Sequence, residues 1–199
     1  MPSIIVLDTL SADGIALLDA ATPHGISYEV ATGLSGDALR EALARHDGAI
    51  CRSGVKITAD ALTGNHRLKA IVRAGVGTDN IDKEAATRLG IVVMNTPAGN
   101  TVSTAEHAFA LLLGLSRNVA AADASLRAHQ WDRNKFMGCQ VAGKTLGIVG
   151  LGRIGQAVAE RARAFDMRVL GFDPFLSPDR AGELGIELVD SVRAMLPEV

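Results

Sequence analysis

The sequence predicts an α/β protein of two parallel-sheet units joined by a long helix, the second unit unfinished. Three observations carry this reading. Short apolar runs rich in Val and Ile alternate with helix-like segments from the first residues onward. Thr101–Ala128 then runs without Pro and with one Gly, Gly114. At Thr145 a second alternation of strand and helix begins. Hydrophobic residues make up 48% of the 199 and aromatics only 4%. Val, Ile, Leu and Ala must therefore fill the core, which suits buried parallel strands covered by helices.

Taken in order, Ile4–Leu7 reads as a strand, Ala12–Ala20 as a helix, Ser27–Val30 as a strand and Gly36–Ala44 as a helix. Ala49–Cys51 and Leu68–Val72 are strands, Asp82–Leu89 a helix and Ile91–Met94 a strand. Connections this short imply parallel strands with right-handed crossovers. The Ala- and Leu-rich stretch Thr101–Ala128 reads as one helix, capped by Thr101 or Ser103 with Glu106 near its first turn. A loop with Trp131, Arg133, Lys135 and Gly138 follows. Thr145–Val149 is a strand, Ile154–Phe165 a helix and Arg168–Phe172 a strand, and a short helix near Asp179–Leu184 and a weak strand at Glu187–Val189 come last. With no further strands to cover them, Ile148, Val149, Val169 and Leu170 are expected to lack neighbours.

Charge and cysteines exclude several classes. The net charge is −2, which does not suit a nucleic-acid partner. Cys51 and Cys139 stand in unrelated contexts, and no Cys/His spacing matches a metal site. The opening MPSIIVLDTL lacks a basic segment and is interrupted by Asp8, so it reads as a strand and not a signal peptide. Ala108–Leu115 is too short to span a bilayer. A soluble cytoplasmic protein with no membrane partner is expected.

The strongest motif is GIVGLGRIGQAVA. Gly150, Gly152 and Gly155 form G-x-G-x-x-G between a predicted strand and a predicted helix, with Arg153 and Ile154 inside it. Such a turn serves a dinucleotide: the first glycine for a tight turn, the second for close approach to a diphosphate, the third for packing of the helix. The helix start adds free N–H groups and partial positive charge. The next strand ends in Asp173-Pro174, with Asp173 18 residues after Gly155. A carboxylate there accepts from the adenosine ribose and repels a 2′-phosphate, favouring NAD over NADP. These features mark the first half of a Rossmann domain.

Two further turns suit anions. Gly75-Val76-Gly77 follows a strand, where successive N–H groups can form a nest for a carboxylate; an ordinary βα turn is the plain alternative. Arg52-Ser53 ends another strand, where ligands of parallel sheets gather and a guanidinium offers a planar fork to phosphate or carboxylate. A surface salt bridge is the plain alternative for Arg52. Arg73 either touches ligand or supports the glycine turn.

With these residues in place, the chain resembles the NAD-dependent D-2-hydroxyacid dehydrogenases. The resemblance is carried by AICRSGVKIT (Ala49–Thr58), RAGVGTDNID (Arg73–Asp82), MNTPAGNTVSTAEH (Met94–His107) and WDRNKFMGCQVAGKTLGIVGLGRIG (Trp131–Gly155). It implies a flavodoxin-like substrate domain over residues 1–98, then a linker helix and the first half of the Rossmann domain over 99–199. It also implies oxidation of a 2-hydroxy acid, with hydride passing to NAD. The match is nearest to members acting on 3-phosphoglycerate at the entry to serine biosynthesis, so Arg52 is assigned to the phosphate of a small phosphorylated substrate. Val76 then also borders the nicotinamide, Asn100 meets substrate, and the protein assembles as a homodimer or tetramer with the long helix near the interface. In relatives the Arg133–Lys135 loop reaches a neighbouring active site; here a solvated charge cluster is the simpler reading.

Hydride transfer from a hydroxy acid also requires a base and a group that polarises the forming carbonyl. The family's Arg, Glu and His have no counterpart in these residues. His24, His46 and His66 read as turn or helix-end residues. His107 and Glu106 are neighbours on a helix and do not face each other, and His129 ends that helix. The expectation is a portion of a longer chain, inactive alone and with no catalytic residue of its own. Another D-2-hydroxy acid as substrate, or a non-catalytic NAD-sensing scaffold, remains as an alternative.

Overall fold

The computed structural model describes all 199 residues, and its contacts divide them into two units, Met1–Gly99 and Asn100–Val199. Unit 1 holds five parallel strands: β1 (Ser3–Val6), β2 (Ser27–Val30), β3 (Gly48–Cys51), β4 (Ala70–Arg73) and β5 (Val92–Asn95). Their order is β2-β1-β3-β4-β5, the flavodoxin-like arrangement, whose switch point lies between β1 and β3. The connecting helices are α1 (Ala12–Ala21), α2 (Gly36–Arg45), α3 (Ala59–Leu62) and α4 (Lys83–Arg88).

The core follows from spacing. On α2, Leu39 and Leu43 stand one turn apart and are fully buried beside Ile5, Cys51, Leu62 and Ile71. Each such side chain contributes about 1.5–3 kcal/mol by leaving water. Helix starts are marked by side chains: Ser11 accepts from Gly14 N–H, Thr58 from Ala61 N–H and Asp82 from Ala85 N–H. The four-residue helix α3 is absent from the sequence reading, because its only local signal is the Thr58 cap.

Unit 2 begins with α5 (Thr101–Ser116) and α6 (Val119–Arg127), so the single long helix expected over Thr101–Ala128 is broken. Asn118 adopts φ 53°, a left-handed conformation that Asn tolerates. A distant segment clamps the break: Cys139 N–H donates to Ser116 O (2.8 Å) and Asn118 Nδ2 to Met137 O (3.3 Å). A Cβ at Gly138 would overlap Ser116 O. The start also differs from expectation. Asn100 holds the cap position, and Ser103 Oγ donates to Asn100 O rather than capping the helix. α6 ends with His129 left-handed, its N–H donating to Leu126 O and that of Gln130 to Ser125 O, a Schellman closure in which histidine takes the usual glycine place.

A parallel sheet of β6 (Thr145–Val149), β7 (Arg168–Phe172) and β8 (Glu187–Leu188) follows in the order β6-β7-β8. α7 (Arg153–Ala164) joins β6 to β7, and α8 (Pro178–Glu183) joins β7 to β8. α9 (Val192–Met195) closes the chain with a 3₁₀ turn, Leu196–Glu198. The expected loss of cover at this sheet does not hold for Ile148, Val169 and Leu170, which are buried; only Val149, at 62% exposure, stands open. Phe109 of α5, Ala159 of α7 and Ala181 of α8 share a cluster with Ile148 and Val169. Met195 of α9 sits where a Cβ on Gly147 would be. No helix is long and apolar enough to cross a membrane.

Candidate functional site

In unit 1 the residues singled out from sequence gather at the C-terminal edge of the sheet. Arg52 leaves β3 and Asp8 follows β1, so the two meet at the switch point. The Arg52 N–H donates to Asp8 Oδ2 at 2.6 Å, and its Nη1 to Thr9 O at 3.3 Å. No carboxylate pairs with the Arg52 guanidinium, which is exposed beside exposed Ser53. Gly54, Val55 and Lys56 line a cavity of about 770 Å³ against the first turn of α2, together with Asp37 and Arg40.

The glycine turn after β4 differs from the expected nest. Gly75 N–H turns back to Arg73 O at 2.8 Å, and neither Gly75 nor Gly77 has positive φ. Only the Val76 and Gly77 N–H groups lack an intramolecular acceptor. The glycines give room rather than conformation: a Cβ at Gly75 would displace the Arg73 guanidinium, and one at Gly77 would lie 3.0 Å from Asp79 Oδ1. The Arg73 guanidinium thus lies against this turn, and its buried Nε has no partner. Two contacts from the end of β5 hold the same turn, Thr96 N–H to Gly75 O (3.0 Å) and Asn95 Nδ2 to Val76 O (2.6 Å). Sequence reading missed Asp8, Asn80 and Asn95. Each acts through backbone groups of another loop, and no local pattern announces such a contact.

In unit 2 each glycine of the fingerprint has a physical reason. Gly150 has φ 90°, which closes the turn after β6. Around Gly152 a Cβ would meet nothing, so that side is open. A Cβ at Gly155 would overlap Gly150 O and lie 3.5 Å from Ile148 Cγ2, so the third glycine seats α7 against the turn. Gly152 caps α7 without a side chain, and the N–H groups of Gly152, Arg153, Ile154 and Gly155 make no intramolecular hydrogen bond. The first pairing is Gln156 N–H to Gly152 O, at 2.9 Å. An open face bearing unpaired donors at a helix start fits a diphosphate.

Asp173 ends β7 and is engaged by the protein itself. Its Oδ1 accepts Phe175 N–H at 2.8 Å and its Oδ2 accepts Leu151 N–H at 2.7 Å. These donors, Phe175 first and Leu151 next, hold its carboxyl below the usual carboxylate range. Pro174 follows, exposed. Asn100 belongs to unit 2, and its side chain makes no capping bond.

Within unit 1 the histidines lie apart from Arg52. His24, His46 and His66 precede β2, β3 and β4 and so stand at the N-terminal edge of the unit 1 sheet, opposite Arg52. His46 is buried, with Nδ1 2.8 Å from Ala42 O. Glu106 pairs with Arg161 of α7 at 3.7 Å, while His107 is exposed.

The family profile of the D-isomer specific 2-hydroxyacid dehydrogenase catalytic domain matches residues 4–196. A D-3-phosphoglycerate dehydrogenase of Archaeoglobus fulgidus is 45% identical over 187 residues, 94% of this chain and 35% of the relative. One of Methanocaldococcus jannaschii is 45% identical over 195 residues, 98% of this chain and 36% of the relative. The chain therefore spans about a third of the length of the curated relatives it matches. A solved structure from Thermus thermophilus superposes with a TM-score of 0.85 at 34% identity, covering 99% of this chain and 62% of that one. The chain belongs to the D-isomer specific 2-hydroxyacid dehydrogenase family.

Proposed function

We propose that these residues form the substrate- and nucleotide-binding portion of an NAD-dependent dehydrogenase that oxidises 3-phosphoglycerate to 3-phosphohydroxypyruvate. The observation that carries the reading is the exposed Arg52 guanidinium, which meets Thr9 O but no carboxylate, on the same sheet edge as the free Val76 and Gly77 N–H groups. A substrate with an anion at each end fits two such sites. Arg52, with Ser53 beside it, takes the phosphate as a planar fork. Val76 and Gly77 donate to the carboxylate, and Arg73 adds charge from beneath the turn. Asn100 offers a free carboxamide as a further substrate contact.

In the nucleotide unit the Gly152–Gly155 N–H groups hold the diphosphate, and Asp173, followed by Pro174, accepts the ribose hydroxyls. The same carboxylate disfavours a 2′-phosphate, hence NAD. NAD, when bound, supplies the hydride acceptor for the substrate C2–H. Removal of the hydroxyl proton needs a base, and none is assigned: His24, His46 and His66 stand at the far edge of the sheet, and His107 and His129 are exposed in the α5–α6 segment. We therefore assign binding and orientation to this chain and no catalytic residue. Leu111 and Leu115 on α5, 61% and 81% exposed, are assigned to a homodimer or tetramer contact. The cytoplasm is the proposed location.

The test is oxidation of NADH dependent on 3-phosphohydroxypyruvate. The 199-residue chain is expected to bind NADH without turnover, and turnover would overturn the acid/base assignment. In the full-length polypeptide, Arg52→Met is expected to abolish the preference for the phosphorylated over the unphosphorylated 2-oxo acid. An unchanged preference would favour another hydroxy acid as substrate. NAD binding without turnover by the full-length polypeptide would favour the alternative of a scaffold that senses NAD.

A further inference from the structure

We propose that Asn80 is a positioning residue for substrate phosphate, acting by fixing the shape of the Arg52–Val55 loop; the proposal rests on the substrate reading above. The Asn80 carboxamide donates to Arg52 O and to Val55 O, both at 2.8 Å. These two carbonyls bracket Ser53-Gly54, the tip of the loop. From the β1 side, Asp8 Oδ2 accepts the Arg52 N–H at 2.6 Å, and a Cβ at Gly54 would overlap Asp8 Oδ1. The turn is gripped by its N–H on one side and by its carbonyls on the other.

Asn80 is itself fixed. Its backbone O accepts Ile57 N–H at 2.8 Å, and Ile57 O accepts Asp82 N–H at 2.8 Å. These bonds form the parallel bridge Ile57–Ile81. Asn80 therefore stitches the loop that carries Arg52 to the loop that carries Val76 and Gly77. It sets the spacing between the two anion contacts while touching neither anion. The chemistry also settles the amide orientation, because only the NH₂ group can face two carbonyl oxygens. The buried Oδ1 has no partner, so the donors are the part of the amide in use.

Asn80→Asp keeps the shape and replaces the double donor with an oxygen facing two oxygens. Asn80→Ala removes the clamp without repulsion and is the second variant. In the full-length polypeptide, KM for 3-phosphohydroxypyruvate is expected to rise about tenfold or more in either variant, as two lost hydrogen bonds imply. KM for hydroxypyruvate, kcat and NADH affinity are expected to stay near wild type. A merely structural role would instead raise both KM values together or lower NADH affinity, and either result overturns the proposal. Amide hydrogen exchange of the 199-residue chain gives a readout independent of substrate. Exchange at Arg52 and Ile57 should accelerate in Asn80→Asp while the β1 and β4 amides hold, and unchanged exchange overturns the clamp. Faster exchange in a protein whose wild type does not prefer the phosphorylated acid overturns the phosphate role and the substrate reading together, leaving only a loop clamp.

Discussion

The Asp173 carboxylate accepts the Leu151 N–H at 2.7 Å, tying the end of β7 to the middle of the glycine turn after β6. The residue proposed to accept a ribose is thus also the brace of the turn proposed to hold the diphosphate. Asn in its place can accept one N–H but must turn its NH₂ group toward the other. Asp173→Asn is therefore expected to weaken NAD binding about tenfold or more, since bonds to a charged acceptor exceed neutral ones. Titration followed by calorimetry checks this. An unchanged dissociation constant would remove Asp173 from the site.

Gly152 and Gly155 separate binding from folding. A Cβ at Gly152 meets nothing in the protein, whereas one at Gly155 overlaps the Gly150 carbonyl, whose backbone is already committed to φ 90°. Gly152→Ala is expected to leave the melting temperature near wild type and abolish NAD binding. Gly155→Ala is expected to lose binding and also about 1–3 kcal/mol of stability, the cost of an overpacked contact. Equal melting temperatures for the two variants would contradict the packing role given to Gly155.

The parallel order of both sheets was legible because Val- and Ile-rich runs alternate with helical periods, and the fingerprint because its glycines, strand and acid are local in sequence. The break at Asn118 was not legible. It goes with two hydrogen bonds to a segment about twenty residues downstream, Asn118 Nδ2 to Met137 O and Cys139 N–H to Ser116 O. At Gly75-Val76-Gly77 the position was readable but the mechanism was not, since glycine serves equally for positive φ and for space, and here Arg73 needs the space. The burial of Ile148, Val169 and Leu170 depended on how α5, α8 and α9 return over the sheet, which no single segment encodes.

Cys51 and Cys139 differ in reactivity. Cys51 is fully buried in the unit 1 core; burial, with Asp8 nearby, pushes its thiol up to about 11. Cys139 is exposed. Because the thiolate is the nucleophile, labelling of the native chain with iodoacetamide near neutral pH should modify Cys139 alone. Unfolding in urea should release Cys51. Mass spectrometry of the peptides reads this directly, and native labelling at Cys51 would show that the β3 end is open.

Asp47 ties the N-terminal ends of three strands. Its Oδ2 accepts Ser3 N–H at 2.9 Å, Ser3 Oγ at 3.3 Å and Arg67 Nη2 at 3.1 Å, with Lys69 Nζ 3.9 Å from Oδ1. The Ser3 N–H first, and the Arg67 guanidinium next, hold its carboxyl down at about 2. A depressed folded pKa means that the unfolded chain takes up the proton first. The stabilisation is thus complete above the ordinary carboxylate pKa of about 3.9 and is lost as pH falls toward the folded value. Asp47→Asn removes this dependence and leaves the other carboxylates in place. The urea midpoint of the variant should lie below wild type at neutral pH, and the gap should close between about pH 4 and pH 2. A gap that stays constant across that window would mean that the Ser3 and Arg67 bonds do not stabilise the charged form.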